Sequence, residues 1–450
     1  MIAAIATPRG EGGIAVVRLS GEGVFGVAEK VFTGLKKPGE MAGYTCTFGH
    51  ITDGEQIIDE CVLTVFRAPH SYTGEDTAEF SVHGGDFTAR KTLALLIKNG
   101  ARAARAGEFT ERAVLNGKMN LTQAEAVADI IGARAENELR FANAMKSGLL
   151  FTAVSAVREK LINLAADIGV ADDYPDDYGE VSPEHIKCVL TEAKSELLRL
   201  TGSFAAGSII KSGIPTAIIG KPNAGKSSLM NLLLGVSRSI VTDIPGTTRD
   251  IVDGFIEADG YTLRLIDTAG LRETGDRAEE IGVSLAREAA GFAGITLAVF
   301  DLSREADPDD RKTLELCKNG STVAVFNKND RERAVSAEFI AEIRAKMPAV
   351  YISAKTGEGI EQLRGAIGEI IAQSFNLTDT EVLLTERQFL LAKQAESDIE
   401  NALRELEAGV SSDITGVLVS EAALSLSKLT GETITEEIAR DIFARFCVGK

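Results

Sequence analysis

The chain lacks several features that would narrow its class at once. Its five cysteines, Cys46, Cys61, Cys188, Cys317 and Cys447, are scattered with no close pair. That argues against a disulfide framework or a cysteine-ligated zinc and makes a reducing cytoplasm the expected compartment. Apolar stretches are short and broken by charge, so no transmembrane helix and no stable membrane insertion are expected. The opening Met1-Ile2-Ala3-Ala4-Ile5-Ala6 runs straight into Thr7-Pro8-Arg9 and is too brief for a signal peptide. Positive charge is also in deficit: a formal charge of −18 over 450 residues argues against indiscriminate coating of nucleic acid.

What is present is ordinary for a soluble globular protein, 44% apolar and 25% charged, with material for about two to four domains. Residues 81–118 hold Arg90, Lys91, Lys98, Arg102, Arg105, Arg112 and Lys118 against Asp86, Glu108 and Glu111; a solvated helix face is the preferred reading over a nucleic-acid surface. Asp172-Asp173-Tyr174-Pro175-Asp176-Asp177 reads as an acidic loop between helices.

The patterning divides the chain into four segments. Residues 1–117 mix short β-like runs with a single helical pattern near 86–99, an α+β domain. Residues 118–210 turn helical, with Leu121, Ala124, Ala128 and Ile131, then Leu149, Val154, Leu161, Leu164 and Ile168, recurring at three- and four-residue spacing. Residues 211–375 alternate strands and helices, and residues 376–450 are helical again. One helical bundle into which a nucleotide-binding α/β domain is inserted is the economical arrangement, so the fold class is multidomain α/β. Within the insert, runs near 252–258 and 261–267 flank Ala258-Asp259-Gly260 and should pair as an antiparallel hairpin.

The most informative run is Gly220-Lys221-Pro222-Asn223-Ala224-Gly225-Lys226-Ser227, followed by Ser228. It sits between the strand-like Thr216–Ile219 and a helix-like stretch, as a phosphate-binding loop should. Glycines let the backbone approach a polyphosphate and successive N–H groups cradle its charge. Lys226 would reach the β- and γ-phosphates, and the Ser227 hydroxyl would hold Mg²⁺. Thr247-Thr248 occupies the place of a loop whose hydroxyl completes the metal shell. Asp267-Thr268-Ala269-Gly270 ends a second apolar strand, where the carboxylate can bind Mg²⁺ through water and the glycine can sense the γ-phosphate. Asn327-Lys328-Asn329-Asp330 closes a third strand, and the Asp330 carboxylate can accept from the N1–H and N2–H of guanine, a pair adenine does not offer. Ser353-Ala354-Lys355 follows a fourth and can turn a backbone N–H to guanine O6. Four such motifs in this order, each at a strand end, point to GTP.

Two anomalies bear on catalysis. Leu271 stands directly after the second motif, where many switch GTPases have a glutamine that orients the attacking water. The water must then be oriented from elsewhere, and Glu273, Asp276, Glu279 and Glu280 are equal choices. In addition, no arginine occupies the phosphate loop to neutralise charge between the β- and γ-phosphates. The Asn223 amide, with carbonyls of Val241-Thr242-Asp243-Ile244-Pro245-Gly246-Thr247, could wrap a monovalent cation instead. Asparagine is equally a common turn residue.

Outside these motifs stand Ile5-Ala6-Thr7-Pro8 with Gly12-Gly13, Ser71-Tyr72-Thr73-Gly74-Glu75-Asp76 and Gly107-Glu108-Phe109-Thr110-Glu111-Arg112-Ala113. Leu121-Thr122-Gln123-Ala124-Glu125-Ala126 and Phe446-Cys447-Val448-Gly449-Lys450 complete the set. With them the chain resembles the MnmE (TrmE) family of bacterial tRNA-modification GTPases over essentially its whole length. Val448 is a conservative departure from the isoleucine usual there.

The resemblance implies an N-terminal domain (1–117) that binds tetrahydrofolate and forms the homodimer, a helical domain built from 118–210 and 376–450, and an inserted Ras-like GTPase (211–375). It implies that 5-formyl- or 5,10-methylene-tetrahydrofolate contacts Arg18, Glu79, Lys118 and Lys450. It selects Glu279 to position the hydrolytic water, assigns K⁺ to Asn223 with the carbonyls of Thr242, Ile244 and Thr247, and gives Mg²⁺ to Ser227 and Thr248. It further implies a complex with the flavoprotein MnmG that places an aminomethyl or carboxymethylaminomethyl group on C5 of the tRNA wobble uridine. Two other classes compete. A ribosome-assembly GTPase would carry a KH-type Gly-x-x-Gly loop or a second GTPase domain, and residues 376–450 show neither. A slow GTP-regulated scaffold fits Leu271 but not the expected cation site and Glu279.

Overall fold

The computed structural model describes residues 1–236, 254–266, 294–317, 321–374, 382–409, 412–433, 442–444, 446 and 449. The chain forms two compact units, residues 1–128 with 423–450, and residues 129–422. Among the described residues no helix is long and apolar enough to cross a membrane.

In the first unit seven strands, β1 (Ile2–Ile5), β2 (Ile14–Ser20), β3 (Phe32–Gly34), β4 (Thr45–Asp53), β5 (Gln56–Phe66), β6 (Thr77–His83) and β7 (Arg102–Ala103), form one sheet in the order β3-β4-β5-β6-β2-β1-β7. All pairs are antiparallel except β1 with β7. Alternation decides which face is core. Ala15, Val17 and Leu19 of β2 turn inward with Leu63 and Val65 of β5 and Ala78, Phe80 and Val82 of β6. Helices Val24–Val31 and Asp86–Lys98 close that face, the first through Val24, Val27, Ala28 and Val31 at helical spacing. The first helix was not expected from the sequence, because eight residues are barely two turns and give little period to read. Arg18 and Glu79 fall on the opposite face, paired across β2 and β6 in register.

The second unit holds a six-stranded sheet of β8 (Ile214–Ile219), β9 (Gly254–Ala258), β10 (Tyr261–Ile266), β11 (Ile295–Asp301), β12 (Thr322–Asn327) and β13 (Ala349–Tyr351), in the order β13-β12-β11-β8-β10-β9. Every pair is parallel except the β9–β10 hairpin. That hairpin turns on Asp259 and Gly260, at φ 51° and 79°, the left-handed pair a type I′ turn needs. β11 and β12 are buried along their whole length, as parallel strands covered on both faces must be. Phe300 and Phe326, 2% and 0% exposed, contribute roughly 2–3 kcal/mol each by burial.

Three long helices of this unit pack on one another. Helix Pro183–Gly202 packs against Leu149–Asp173 and against Glu386–Glu407. Helical segments before and after the sheet are therefore packed together, stitched by a buried hydrogen bond from Thr201 Oγ1 to Glu396 (2.9 Å) and a Lys194–Glu400 ion pair at 3.0 Å. Ser182 caps one with Pro183 in its first turn, and Thr385 with Gln388 forms a capping box on another. The acidic stretch at 172–177 is less of a loop than expected: one helix runs to Asp173 and a single turn, Pro175–Tyr178, follows.

Candidate nucleotide and folate sites

Because β8, β11, β12 and β13 run parallel, their C-terminal ends lie on one edge of the sheet. Open α/β sheets bind ligands outside that edge. β8 delivers the phosphate loop there and its helix, Lys226–Val236, begins at once, with Leu229 N–H donating to Gly225 O (2.9 Å). Gly220 and Gly225 have φ 146° and 103°, and a Cβ on either would strike Val299 O or the Asn327 side chain. Asn223 takes the left-handed region at φ 63°, which asparagine tolerates better than most residues. Its identity thus has a backbone reason independent of any cation. Lys226 Nζ donates to the carbonyls of Gly220 (2.7 Å) and Lys221 (2.9 Å), while Ser227 and Ser228 are exposed on the first helical turn. A concave run of glycine amides at a helix start, with a lysine across its mouth and a hydroxyl beside it, fits a polyphosphate with Mg²⁺ on Ser227.

Asn327 draws three motifs together. It is 2% exposed, its Nδ2 donates to Ala224 O (2.8 Å), and its Oδ1 accepts from Ala354 N–H (3.0 Å). One side chain thus ties the 220–228 loop to the segments at 327–330 and 353–355. The sequence reading offered a backbone N–H of residues 353–355 to guanine O6; the Ala354 N–H is engaged by Asn327 in this structure. Asp330 is exposed, with Oδ1 accepting from the buried Ser353 hydroxyl (2.7 Å), and that hydrogen bond holds its carboxyl below the usual value. The same bond orients the exposed Asp330 carboxylate, an acceptor-only group when ionised.

Lys328 sits at φ 66° with its Nζ on Asp301 Oδ2 (2.6 Å). Burial works against ionisation of Asp301, yet Lys328 and the Ser303 hydroxyl and N–H outweigh it and lower its pKa. Sequence reasoning missed Asp301, although an acid closing a buried strand was the cue that singled out Asp267. Thr242, Asp243, Ile244, Pro245, Gly246, Thr247, Thr248, Asp267, Thr268, Ala269, Gly270, Glu279 and Lys450 lie outside the described residues.

In the first unit, Arg18 Nε donates to Glu79 Oε1 (2.7 Å) and its Nη1 to Gly449 O (3.3 Å), so a C-terminal residue borders this pair. The guanidinium also lies 5.7 Å from the Tyr72 ring centre and 5.6 Å from that of Phe109. Lys118 Nζ donates to Pro69 O (3.0 Å), and its stem lies beside Gly74 on the segment that carries Tyr72. Charged groups beside aromatic rings suit a planar polar heterocycle with an acidic tail. Tyr72 and Phe109 were not singled out in the sequence. The basic excess of residues 81–118 is largely spent internally: Arg90, Lys98, Arg102, Arg105 and Arg112 pair with Asp86, Asp53, Glu108, Glu111 and Glu75.

A family profile described as "MnmE helical domain" matches residues 121–447, and one described as "GTP-binding protein TrmE N-terminus" matches residues 1–118. The chain belongs to the MnmE (TrmE) family. It is 40% identical over 456 residues to the protein named tRNA modification GTPase MnmE of Carboxydothermus hydrogenoformans, covering 100% of this chain and 99% of that one. Its counterpart of the same name in Acetivibrio thermocellus is 38% identical over 453 residues, with the same coverage. The G domain of T. maritima FeoB is 27% identical over 35% of this chain and 98% of that domain, at a TM-score of 0.25. MnmE family membership makes the chain a GTP hydrolase acting in tRNA modification.

Proposed function

We propose that the chain is a K⁺-dependent GTPase that, as a homodimer with the flavoprotein MnmG, modifies C5 of the tRNA wobble uridine in the cytoplasm. The added group is aminomethyl or carboxymethylaminomethyl, and its one-carbon unit comes from 5-formyl- or 5,10-methylene-tetrahydrofolate. The names of the relatives and the double tether of Asn327 carry this reading, since a guanine pocket and a phosphate cradle braced by one residue serve a guanine nucleotide above other ligands.

Asp330 selects guanine, and Lys226 with the loop amides holds the phosphates. Ser227 and Thr248 bind Mg²⁺, while Asn223 with the carbonyls of Thr242, Ile244 and Thr247 binds K⁺. Glu279 orients water where Leu271 cannot. Mg²⁺ and K⁺ supply charge stabilisation to the transferring phosphoryl group. Arg18, Glu79, Lys118 and Lys450 hold the folate, whose bound one-carbon unit supplies the carbon for the base. Arg18, Glu79 and the Gly449 carbonyl bring a donor and acceptors together, which suits a pterin edge. Domain limits at 1–117, 118–210, 211–375 and 376–450 go with these roles.

The test pairs two measurements. Replacing K⁺ with Na⁺ should slow hydrolysis by the purified chain sharply, and equal rates would remove the cation assignment. Mass spectrometry of tRNA from cells lacking the chain should show unmodified wobble uridines; unchanged uridines would remove the tRNA assignment.

A further inference from the structure

Three cations and three carboxylates run from the phosphate loop to the base loop without passing through the nucleotide. At one end is Lys221, a phosphate-loop residue whose side chain is 3% exposed. Its Nζ bonds Asp310 Oδ2 (2.7 Å) and Asp307. Those two acids are fixed in place, because Asp307 caps helix Pro308–Leu316 and Asp310 Oδ2 accepts in return from the Asp307 N–H (3.1 Å) in a capping box. Arg304 spans the middle, with Nε 3.3 Å from Asp301 Oδ2, Nη1 3.4 Å from Asp307 Oδ2 and Nη2 3.9 Å from Asp310 Oδ1. Asp301, 4% exposed, then holds Lys328 at the far end, two residues before Asp330.

We propose that this array is a positioning device that couples the two loops, so that Lys221 and Arg304 help to set discrimination for guanine. The inference rests on Asp330 reading the base. Buried ion arrays add little net stability over apolar packing, so their value lies in fixing one arrangement of the groups they join. Here the group fixed is Lys328, a non-glycine residue in the left-handed region, a strained conformation that needs an anchor. Asp301 is that anchor, Arg304 sets Asp301 against the cap, and Lys221 sets the cap against the phosphate loop. A shift of Lys221 is passed on to the backbone that presents Asp330.

The experiment measures GDP and IDP binding to the full-length chain by calorimetry. Inosine keeps N1–H but lacks the 2-amino group, so the GDP:IDP affinity ratio reports on the 2-amino half of the Asp330 contact. Lys221→Met should lower that ratio about fivefold, the low end of coupling between sites, and Lys221→Arg should restore it. Arg304→Gln, at a position about a third exposed, gives a second test should the buried variant fail to fold; its ratio should fall as well. Asp301→Asn combined with Arg304→Gln should lower the ratio by less than the product of the single effects, because both act on one chain of contacts. Equal losses for GDP and IDP in the folded variants would mean that Lys221 serves only the phosphates, and would overturn the proposal. A wild-type chain that binds GDP and IDP equally would instead remove the Asp330 reading, and the coupling with it.

Discussion

The two sheets solve the placing of polar groups in opposite ways. In the β8–β13 sheet the strands are mostly parallel and the central β11 and β12 are buried throughout, so the polar groups of the candidate site gather where strands end, on one edge. In β1–β7 the strands are mostly antiparallel, and polar residues can also stand mid-strand on the face away from the main core, as Arg18 and Glu79 do. An edge site is assembled from loops and depends on braces between them. A face site is held by strand register and needs fewer. Variants in one sheet should therefore leave the chemistry of the other intact, and a variant that disturbed both would break the comparison.

The largest effect is expected from Glu279→Ala. Hydrolysis should fall about 10²–10⁴-fold, the range for losing a positioned acid or base, with GTP affinity and folate affinity retained. Single-turnover phosphate release measures this, and loss of nucleotide binding would mean that the residue is structural. Next comes Arg18→Ala, which leaves Glu79 without its partner and should weaken 5-formyl-tetrahydrofolate binding by about 2–5 kcal/mol; titration should show GTP hydrolysis unchanged. Asn327→Ala strands Ala224 O and Ala354 N–H and should destabilise the nucleotide unit by roughly 1–3 kcal/mol. Denaturant unfolding should show the loss in that unit while folate binding persists.

The smallest effect separates the sheets by pH. Burial alone would raise Glu108, but the Arg102 guanidinium and the Arg105 N–H more than compensate and bring it from 4.5 to about 2. A carboxylate lowered on folding adds stability that is full above its unfolded value and lost as pH falls through the folded one. Stability of the first unit should therefore decline between about pH 4.5 and pH 2, and Glu108→Gln should flatten that part of the unfolding curve. A variant with the same slope as the wild type would show that Glu108 does not carry it.

Legibility in the sequence followed the same division. The edge site was readable because its groups come in contiguous motifs at strand ends: Gly220–Ser228, Asn327–Asp330 and Ser353–Lys355 each name themselves. What joins them was not, since Asn327, Lys221, Arg304 and Asp310 meet only after the sheet has brought distant loops together. The hairpin at Asp259-Gly260 was readable because a turn of two left-handed residues is a local requirement. The face site showed no comparable cue. Arg18 and Glu79 become partners through a register between strands 61 residues apart, and single charges in β-like runs look like solvated surface. Only resemblance to the family drew attention to them. The helix Val24–Val31 went unread for its shortness.

If the proposed reading holds, this edge binds a guanine nucleotide through Asp330 and hydrolyses it. Turnover of GTP, ATP and XTP by the wild type and by Asp330→Asn tests it most directly, because an amide can donate to the 2-oxo group of xanthine where a carboxylate accepts from guanine. The wild type should turn over GTP alone, and the variant should exchange GTP for XTP. Equal turnover of GTP and ATP, or a variant that keeps the wild-type preference, would contradict it.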